Sequence, residues 1–124
     1  MLKIGVLLGD DIGLEVVPEA VKVMKTAAAK TGLAVEWQEL PVGKHGHELH
    51  GHTLPTVTAD ALTKTHGWIC GPIGHNAYPR NDPTWVMPPI RKRFELFANV
   101  KPVKSYPNIP SVHKVVDIVF LRET

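Results

Sequence analysis

The chain lacks most of the features that mark secreted or membrane proteins. It contains one cysteine, Cys70, so no intramolecular disulfide can form. No apolar run approaches the length of a membrane span. The short apolar segment at residues 1–8 is followed too soon by Asp10 and Asp11 to be a signal peptide. We therefore expect a cytoplasmic protein with no membrane partner.

A strong charge of one sign is also missing. The formal net charge is +2 and the sequence pI is ≈ 8.8, which is too weakly basic to predict a nucleic-acid partner but suits a small anionic ligand. The chain has 124 residues, of which 44% are hydrophobic and 21% are charged. This length and composition predict a single globular domain over residues 1–124, and the apolar patterning of the chain predicts that it is an α/β domain.

Apolar patterning at the start predicts a strand, a helix and a second strand. Residues 2–8 (LKIGVLL) form a nearly continuous apolar run, as in a strand buried on both faces. From Gly13 to a stop near Gly32, apolar residues recur at three- and four-residue steps, which predicts an amphipathic helix. Residues 33–40 alternate like a strand. The order favours part of an open, largely parallel sheet with flanking helices, incomplete within this chain.

Neither of the common phosphate-binding motifs is present. The turn at residues 9–13 (GDDIG) contains no GxGxxG and no GxxxxGK followed by Ser or Thr, and its two aspartates would repel a phosphate. A tight turn that uses glycine for its backbone freedom and a binding role are both open at this point. A third predicted strand, residues 68–70, leads into a second glycine turn at residues 71–74. Turns at this end of parallel strands form ligand crevices.

Residues 42–53 (VGKHGHELHGHT) are rich in histidine. The segment HELH is one residue short of the HExxH zinc motif, and the neighbouring glycines weaken the helix that this motif needs. Histidines spaced by two could bind a metal from an extended loop, but exposed neutral histidines need no ligand. We expect no tight metal site here.

Cationic residues recur in three predicted elements near the end of the chain. Residues 88–97 predict a helix with a buried stripe at Ile90, Phe94 and Phe97. Arg91 lies at the border of that stripe, where it could either bind a ligand or pair with Glu95 one turn later.

The other two cations follow in predicted extended segments. Residues 98–106 contain Lys101, and Pro102 predicts that this segment lies at a sheet edge or in a separate subdomain. Residues 115–121 (VVDIVFL) have the composition of a central strand, and Arg122 comes where that strand should end. Three cations from three elements indicate a carboxylate site if they converge.

Four segments together resemble the amino-terminal portion of the isocitrate and isopropylmalate dehydrogenase family, which includes tartrate dehydrogenases. They are IGVLLGDDIGLEVVPEAVKVM, ICGPIG, IRKRFELFANVKPVKSYP and VDIVFLRE, and they follow the family's order over nearly the whole chain. The resemblance implies NAD- or NADP-dependent oxidation and decarboxylation of a 2-hydroxy di- or tricarboxylic acid. It also implies Mg or Mn and a homodimer in the full-length enzyme, and a cofactor site unlike the Rossmann fold.

The resemblance assigns the three cations to the substrate. Arg91 matches the arginine of the family's LRK segment, Lys101 the arginine of its NLRP segment and Arg122 the arginine of its RE segment. In the family these residues bind substrate carboxylates, which holds the acid in one orientation during hydride transfer. Lys101 departs from the pattern, because a point charge replaces a planar bidentate donor.

The resemblance also assigns the cofactor to the two glycine turns. Asp11, Ile12, Ile73 and Gly74 would lie near the nicotinamide end of NAD or NADP. Asp11 stands where the family has glycine, and Leu14 where it has proline.

The family's catalytic tyrosine, catalytic lysine and metal-binding aspartates come after the RE segment, so the resemblance places no catalytic residue and no metal ligand within residues 1–124. We expect the amino-terminal part of a longer dehydrogenase, with the 124-residue chain inactive by itself. A noncatalytic module that binds small carboxylates or nucleotides is the alternative.

Overall fold

A computed structural model describes residues 1–74 and 86–124, which form two compact units, Met1–Met87 and Pro88–Thr124. The elements in chain order are β1 (Leu2–Leu7), α1 (Gly13–Thr31), β2 (Val35–Glu39), α2 (Gly43–His50), α3 (Thr56–Leu62), β3 (Gly67–Cys70), α4 (Met87–Arg93), β4 (Ala98–Lys104) and β5 (Asp117–Glu123). The polar loop that follows β3 in the sequence falls mainly on residues 75–85, outside the described residues.

The first unit is built on a three-stranded parallel sheet with the order β2-β1-β3. Ile4 of the central strand β1 pairs with Trp37 on one side and with Gly67 on the other. Val6 and Leu7 are buried in this strand. The predicted parallel α/β sheet is confirmed, and its central strand is the apolar run at the start of the sequence.

Helices cover both faces of this sheet. Val6 packs with Val17 and Val21 of α1. Neighbouring residues of a strand point to opposite faces, so Gly5 faces away from α1. A Cβ on Gly5 would lie 3.0 Å from Leu62 Cδ2, which places α3 against the opposite face. The absence of a side chain at Gly5 therefore lets α3 approach the sheet closely.

Helix α1 begins and ends where the sequence predicts, but its buried stripe is narrower than expected. Gly32 has a φ of 69° and its N–H donates to the Ala29 carbonyl, a left-handed C-terminal cap. Val17 and Val21 are buried, whereas Val16 and Val23, which belong to the same apolar periodicity in the sequence, are exposed. One face of α1 packs against the sheet, and the apolar residues beside that face are not covered by other described residues.

The histidine-rich segment forms a helix, contrary to the expectation that its glycines would weaken one. Gly43 and Gly46 are both buried in α2. A Cβ on Gly46 would lie 3.0 Å from Pro55 Cδ. These glycines permit close packing of α2, and the tertiary contacts outweigh their low helix propensity.

Helix α4 ends at Arg93, four residues before the predicted end at Phe97. Glu95 has a φ of 51°, its N–H donates to the Lys92 carbonyl, and the Leu96 N–H donates to the Arg91 carbonyl. This bonding pattern closes the helix. Ile90 is buried at 1% exposure but Phe97 is 81% exposed, so the predicted stripe is wrong at its last position.

Strands β4 and β5 form an antiparallel two-stranded ribbon in the second unit. Every residue of β5 is exposed, and only Asn99 of β4 is partly buried. The prediction of a central strand at residues 115–121 is wrong, because β5 has β4 as its one strand partner among the described residues. Pro102 lies in β4, which agrees with an edge strand in a separate subdomain.

Candidate functional site

Two glycine turns meet at the carboxyl ends of β1 and β3. The Asp10 N–H donates to the Pro72 carbonyl at 2.7 Å, and the Gly71 N–H donates to the Leu7 carbonyl at 2.8 Å. Gly9 has a φ of 76°, and a Cβ there would overlap the Pro72 carbonyl oxygen. The turns are therefore in backbone contact at the sheet edge where open α/β proteins bind ligands.

The Asp10 side chain links these turns to helix α2. Asp10 is 4% exposed; its Oδ1 accepts the Lys44 N–H at 2.8 Å and its Oδ2 accepts the Gly74 N–H at 2.9 Å. The sequence predicted for Asp10 only a charge that repels phosphate, and its contacts with α2 and the β3 turn were not predicted. An aspartate after a buried strand carries no sequence signal for partners 34 and 64 residues away.

The residues predicted to bind the cofactor lie around the same junction. Asp11 is exposed, and its Oδ2 lies 2.7 Å from the place where a Cβ on Gly74 would stand. The structure thus brings Asp11 and Gly74 together. Ile12, which is 54% exposed, precedes α1, and Ile73 is half-buried beside Gly74. The cofactor role of these four residues stays a prediction.

A pocket of about 530 Å³ opens beside the β1 turn. Its ionisable lining residues are Asp10, Asp11, Glu39, Lys44, His45 and Glu48. Acidic groups outnumber basic groups, so the pocket disfavours a phosphate and suits a neutral or cationic part of a ligand. This electrostatic character agrees with the absence of a phosphate-binding motif in the turn.

Cys70 lies at the end of β3, directly before the second turn. Burial raises the pKa of the Cys70 thiol above its ordinary value, and the negative charge of Asp10 raises it further. Its Sγ lies 3.3 Å from the Gly71 carbonyl, to which it donates. The thiol therefore stays protonated at neutral pH and lacks the thiolate character of a catalytic cysteine.

The ribbon brings together two of the three predicted carboxylate-binding cations. Asn99 pairs with Arg122, and Lys101 pairs with Phe120. Directly opposed residues share a face, and so do residues two apart in one strand. Lys101 and Arg122 therefore project from the same face as diagonal neighbours, with Cα atoms about 7–8 Å apart in such a pair.

Arg122 lies within β5, paired with Asn99 and one residue before the strand ends at Glu123, whereas the sequence predicted the strand to end at Leu121. The pairing fixes its backbone, so only its side chain is free to adapt to a ligand. Lys104 lies on the other face of the ribbon and pairs with Asp117 at 3.5 Å.

Arg91 lines an open pocket of about 740 Å³ in the same unit. The pocket is lined by Pro88, Arg91, Lys92, Glu95, Leu96, Phe97, Glu123 and Thr124. Lys101 and Arg122 do not line this pocket. Within the described ranges Arg91 makes no ion pair with Glu95, so the pairing considered from the sequence is not found. Convergence of all three cations on one ligand stays a prediction.

The described residues include no group of three or more His, Cys, Asp or Glu side chains placed to hold a metal ion. His45 lines the pocket beside the β1 turn, on a helix and not on the extended loop considered above. In residues 1–74 and 86–124, no helix combines the length and apolar character of a membrane span.

The described residues thus form an α/β protein with a parallel sheet and a pocket at its carboxyl edge, followed in sequence by a two-stranded ribbon unit that carries exposed cations. Residues 3–124 match the profile of the isocitrate/isopropylmalate dehydrogenase family. The chain belongs to this family, which confirms the resemblance in its sequence.

Individual relatives agree with this assignment. The chain is 37% identical to a 3-isopropylmalate dehydrogenase from Ralstonia nicotianae, over 99% of this chain and 36% of that protein. It is 32% identical to a 3-isopropylmalate dehydrogenase from Desulfitobacterium hafniense, covering 99% of this chain and 38% of the relative. The crystal structure of isocitrate dehydrogenase from Methylococcus capsulatus matches with a TM-score of 0.83 and 31% identity, over 99% of this chain and 34% of that one. The chain thus spans little more than a third of these relatives.

Proposed function

We propose that this chain is the substrate-binding, amino-terminal part of an NAD- or NADP-dependent dehydrogenase that oxidises and decarboxylates a 2-hydroxy di- or tricarboxylic acid. Family membership over residues 3–124 supports the reaction class. The observation that carries the proposal is the placement of Lys101 and Arg122 on one ribbon face. The proposal includes a cytoplasmic protein, one domain over residues 1–124, and a homodimer of the longer enzyme.

The second unit is suited to hold an anionic substrate. Lys101 and Arg122 are exposed cations. Arg91 lines a pocket, and in the described part of the chain its side chain has no ion-pair partner. Charge-assisted hydrogen bonds from such donors are stronger than neutral ones and fix the orientation of a carboxylate. Their role is to present the hydroxyl-bearing carbon in one orientation.

The first unit is suited to hold the nicotinamide end of the cofactor. Asp11 and Gly74 adjoin at the crevice, and the acidic pocket beside them favours a neutral or cationic group over a phosphate. NAD or NADP, when bound, accepts the hydride. Asp11, Ile12, Ile73 and Gly74 would contact it, and the isoleucines would exclude water from the ring.

The Mg or Mn of the full-length enzyme has no complete ligand set among the described residues. Following the family resemblance, we place its site in the segment of the full-length enzyme after the RE segment. No step by residues of this chain depends on it.

The position of Lys101 allows a sharp test of the substrate site. Lys101→Arg should tighten the binding of 3-isopropylmalate about three- to tenfold, since a planar guanidinium can bind a carboxylate through two hydrogen bonds. The dissociation constant would be measured by calorimetric titration of the 124-residue chain.

Lys104→Arg is the matched control, because it makes the same change in the same strand but on the opposite ribbon face. We expect its affinity to stay within about twofold of the wild type. Equal tightening by both variants would indicate nonspecific charge attraction and would contradict the proposed site.

A further inference from the structure

The Asp10 carboxylate is a buried charge that the predicted substrate and cofactor contacts leave without a role. It is 4% exposed. A buried carboxylate is costly unless hydrogen bonds compensate for lost water. The N–H groups of Lys44 and Gly74 supply such bonds, one to each oxygen, at 2.8 and 2.9 Å. The position of the carboxylate is therefore fixed from both sides.

The same residue connects three segments that are far apart in sequence. Its backbone N–H donates to the Pro72 carbonyl at 2.7 Å, and its carbonyl accepts the Gly13 N–H at 2.8 Å. Its side chain reaches the first turn of α2 and the end of the β3 turn. The β1 turn, the start of α2 and the β3 turn thus meet at one residue.

Helix α2 depends on this contact for its N-terminal cap. Val42, which precedes the helix, makes no capping bond through its side chain. The Asp10 carboxylate instead accepts the N–H of Lys44, an amide that has no partner within the helix, and places negative charge at the positive end of the helix dipole. Gly43 leaves space for it, since a Cβ there would lie 2.5 Å from Oδ1.

We propose that Asp10 is a positioning residue that holds Gly74 and the start of α2 against the β1 turn and so sets the width of the pocket between this turn and α2, the crevice in which a ligand would bind. The pocket is lined by Asp11 of the β1 turn and by Lys44 and Glu48 of α2, and Gly74 lies against Asp11 at its edge. Loss of the carboxylate frees both partner segments while the β1 to β3 ladder stays intact. The identification of the crevice ligand as NAD or NADP rests on the proposed function.

Amide hydrogen exchange followed by NMR tests the positioning role without any ligand. In Asp10→Ala the Lys44 and Gly74 amides should exchange at least about tenfold faster than in the wild type, because each loses a charge-assisted bond. Asp10→Asn retains one acceptor oxygen, so at least one of the two amides should respond. This milder variant carries the test if Asp10→Ala fails to fold.

Neighbouring amides with backbone acceptors serve as internal controls. The Leu40 N–H donates to the Val6 carbonyl at 2.9 Å and the Gly71 N–H to the Leu7 carbonyl at 2.8 Å. These amides should change less than about threefold. Asp117→Asn, which removes an exposed carboxylate in the other unit, should leave all four amides unchanged. Unaltered protection of Lys44 and Gly74 in Asp10→Asn, or equal loss at all four amides, would overturn the proposal.

A titration with NAD separates this inference from the proposed function. If the wild type binds NAD, Asp10→Asn should raise the dissociation constant for NAD about tenfold, and Asp117→Asn should leave it unchanged. An unchanged constant in Asp10→Asn would refute the effect on the crevice. If the wild type does not bind NAD, the proposed cofactor role fails, while faster exchange at Lys44 and Gly74 alone still supports the positioning role.

Discussion

Asp11 occupies a turn position at which the family has glycine. Its φ is 49°, in the left-handed region where glycine is unstrained. Aspartate tolerates this region better than most residues, because its short polar side chain can bond locally. The glycine that the resemblance expects here and the observed aspartate are therefore compatible with the same turn. The substitution adds a negative charge beside Gly74.

At Cys70 a raised thiol pKa links stability to pH. A raised pKa in the folded state means that, at alkaline pH, the unfolded chain loses the thiol proton first. The contribution to stability is therefore complete below the ordinary thiol pKa, about 8.5, and falls as pH rises toward the folded value. We expect the unfolding free energy of the wild type to decline more steeply from neutral to alkaline pH than that of Cys70→Ala.

Urea denaturation at several pH values measures this difference, with reductant present to keep the thiol free. The comparison uses the pH slopes and not the absolute stabilities, because alanine also leaves a small cavity. Parallel slopes for the two proteins would show that the Cys70 thiol has an ordinary pKa in the folded state.

Some residue placements could be predicted from the sequence and others could not. The cations Lys101 and Arg122 were predicted in extended segments and lie on one face of the ribbon, while their role in binding stays a prediction. The contacts of Asp10 could not be predicted, because its partners lie 34 and 64 residues away and are backbone amides, which are the same for every side chain. The chain's own pattern therefore revealed surface cations more readily than a buried connecting carboxylate.

Among the elements, α2 depends most on glycine. Gly43 begins this helix and Gly51 follows its end, at φ values of 68° and 73°, but their surroundings differ. A Cβ on Gly43 would lie 2.5 Å from Asp10 Oδ1, whereas a Cβ on Gly51 would meet nothing within 4 Å. A side chain at either position would therefore strain the left-handed backbone, but only a side chain at Gly43 would also overlap a neighbouring atom.

Alanine substitutions at these two glycines separate strain from overlap. Gly51→Ala should cost about 1–2 kcal/mol of unfolding free energy, for the left-handed backbone alone. Gly43→Ala should cost about 2–5 kcal/mol, since displacement of the Asp10 carboxylate adds to the same strain. Denaturant titration measures both values. Equal costs would mean that the carboxylate does not constrain α2.

Element types were predictable where period and turn residues agreed. Helix α1 follows its apolar period and stops at Gly32, as predicted. Helix α4 was predicted too long because Glu95, and not a glycine, adopts the left-handed conformation that ends it. Strand β5 was misassigned as central because apolar content predicts burial, yet its residues are exposed in a two-stranded ribbon.

At the scale of the whole molecule, the chain comprises two compact units with different charge. In residues 88–124 the basic side chains outnumber the acidic ones, whereas the pocket beside the β1 turn in the first unit is mainly acidic. This separation assigns anionic substrate to one unit and the nicotinamide end of the cofactor to the other in the proposed function. The two 3-isopropylmalate dehydrogenase relatives are nearly three times as long as this chain, which covers 36% and 38% of their lengths.

Exposed apolar side chains on the ribbon accompany this partial coverage. Val100, Val119 and Leu121 are 58%, 57% and 73% exposed on one face. A two-stranded ribbon is at best marginally stable by itself in water. The sequence could not predict this exposure. Apolar composition indicates which side chains favour burial, but it does not indicate whether other described residues pack against them.

The central claim is that Arg91 and Arg122 bind the carboxylates of one hydroxy acid. NMR of the arginine Nε–Hε groups, during titration of the 124-residue chain with 3-isopropylmalate, observes these donors directly. We predict that the signals of Arg91 and Arg122 shift along saturating curves with one common dissociation constant, while the signal of Arg93, the neighbouring control on α4, stays in place. No shift at Arg91 and Arg122, or parallel unsaturated shifts at all three arginines, would contradict the claim.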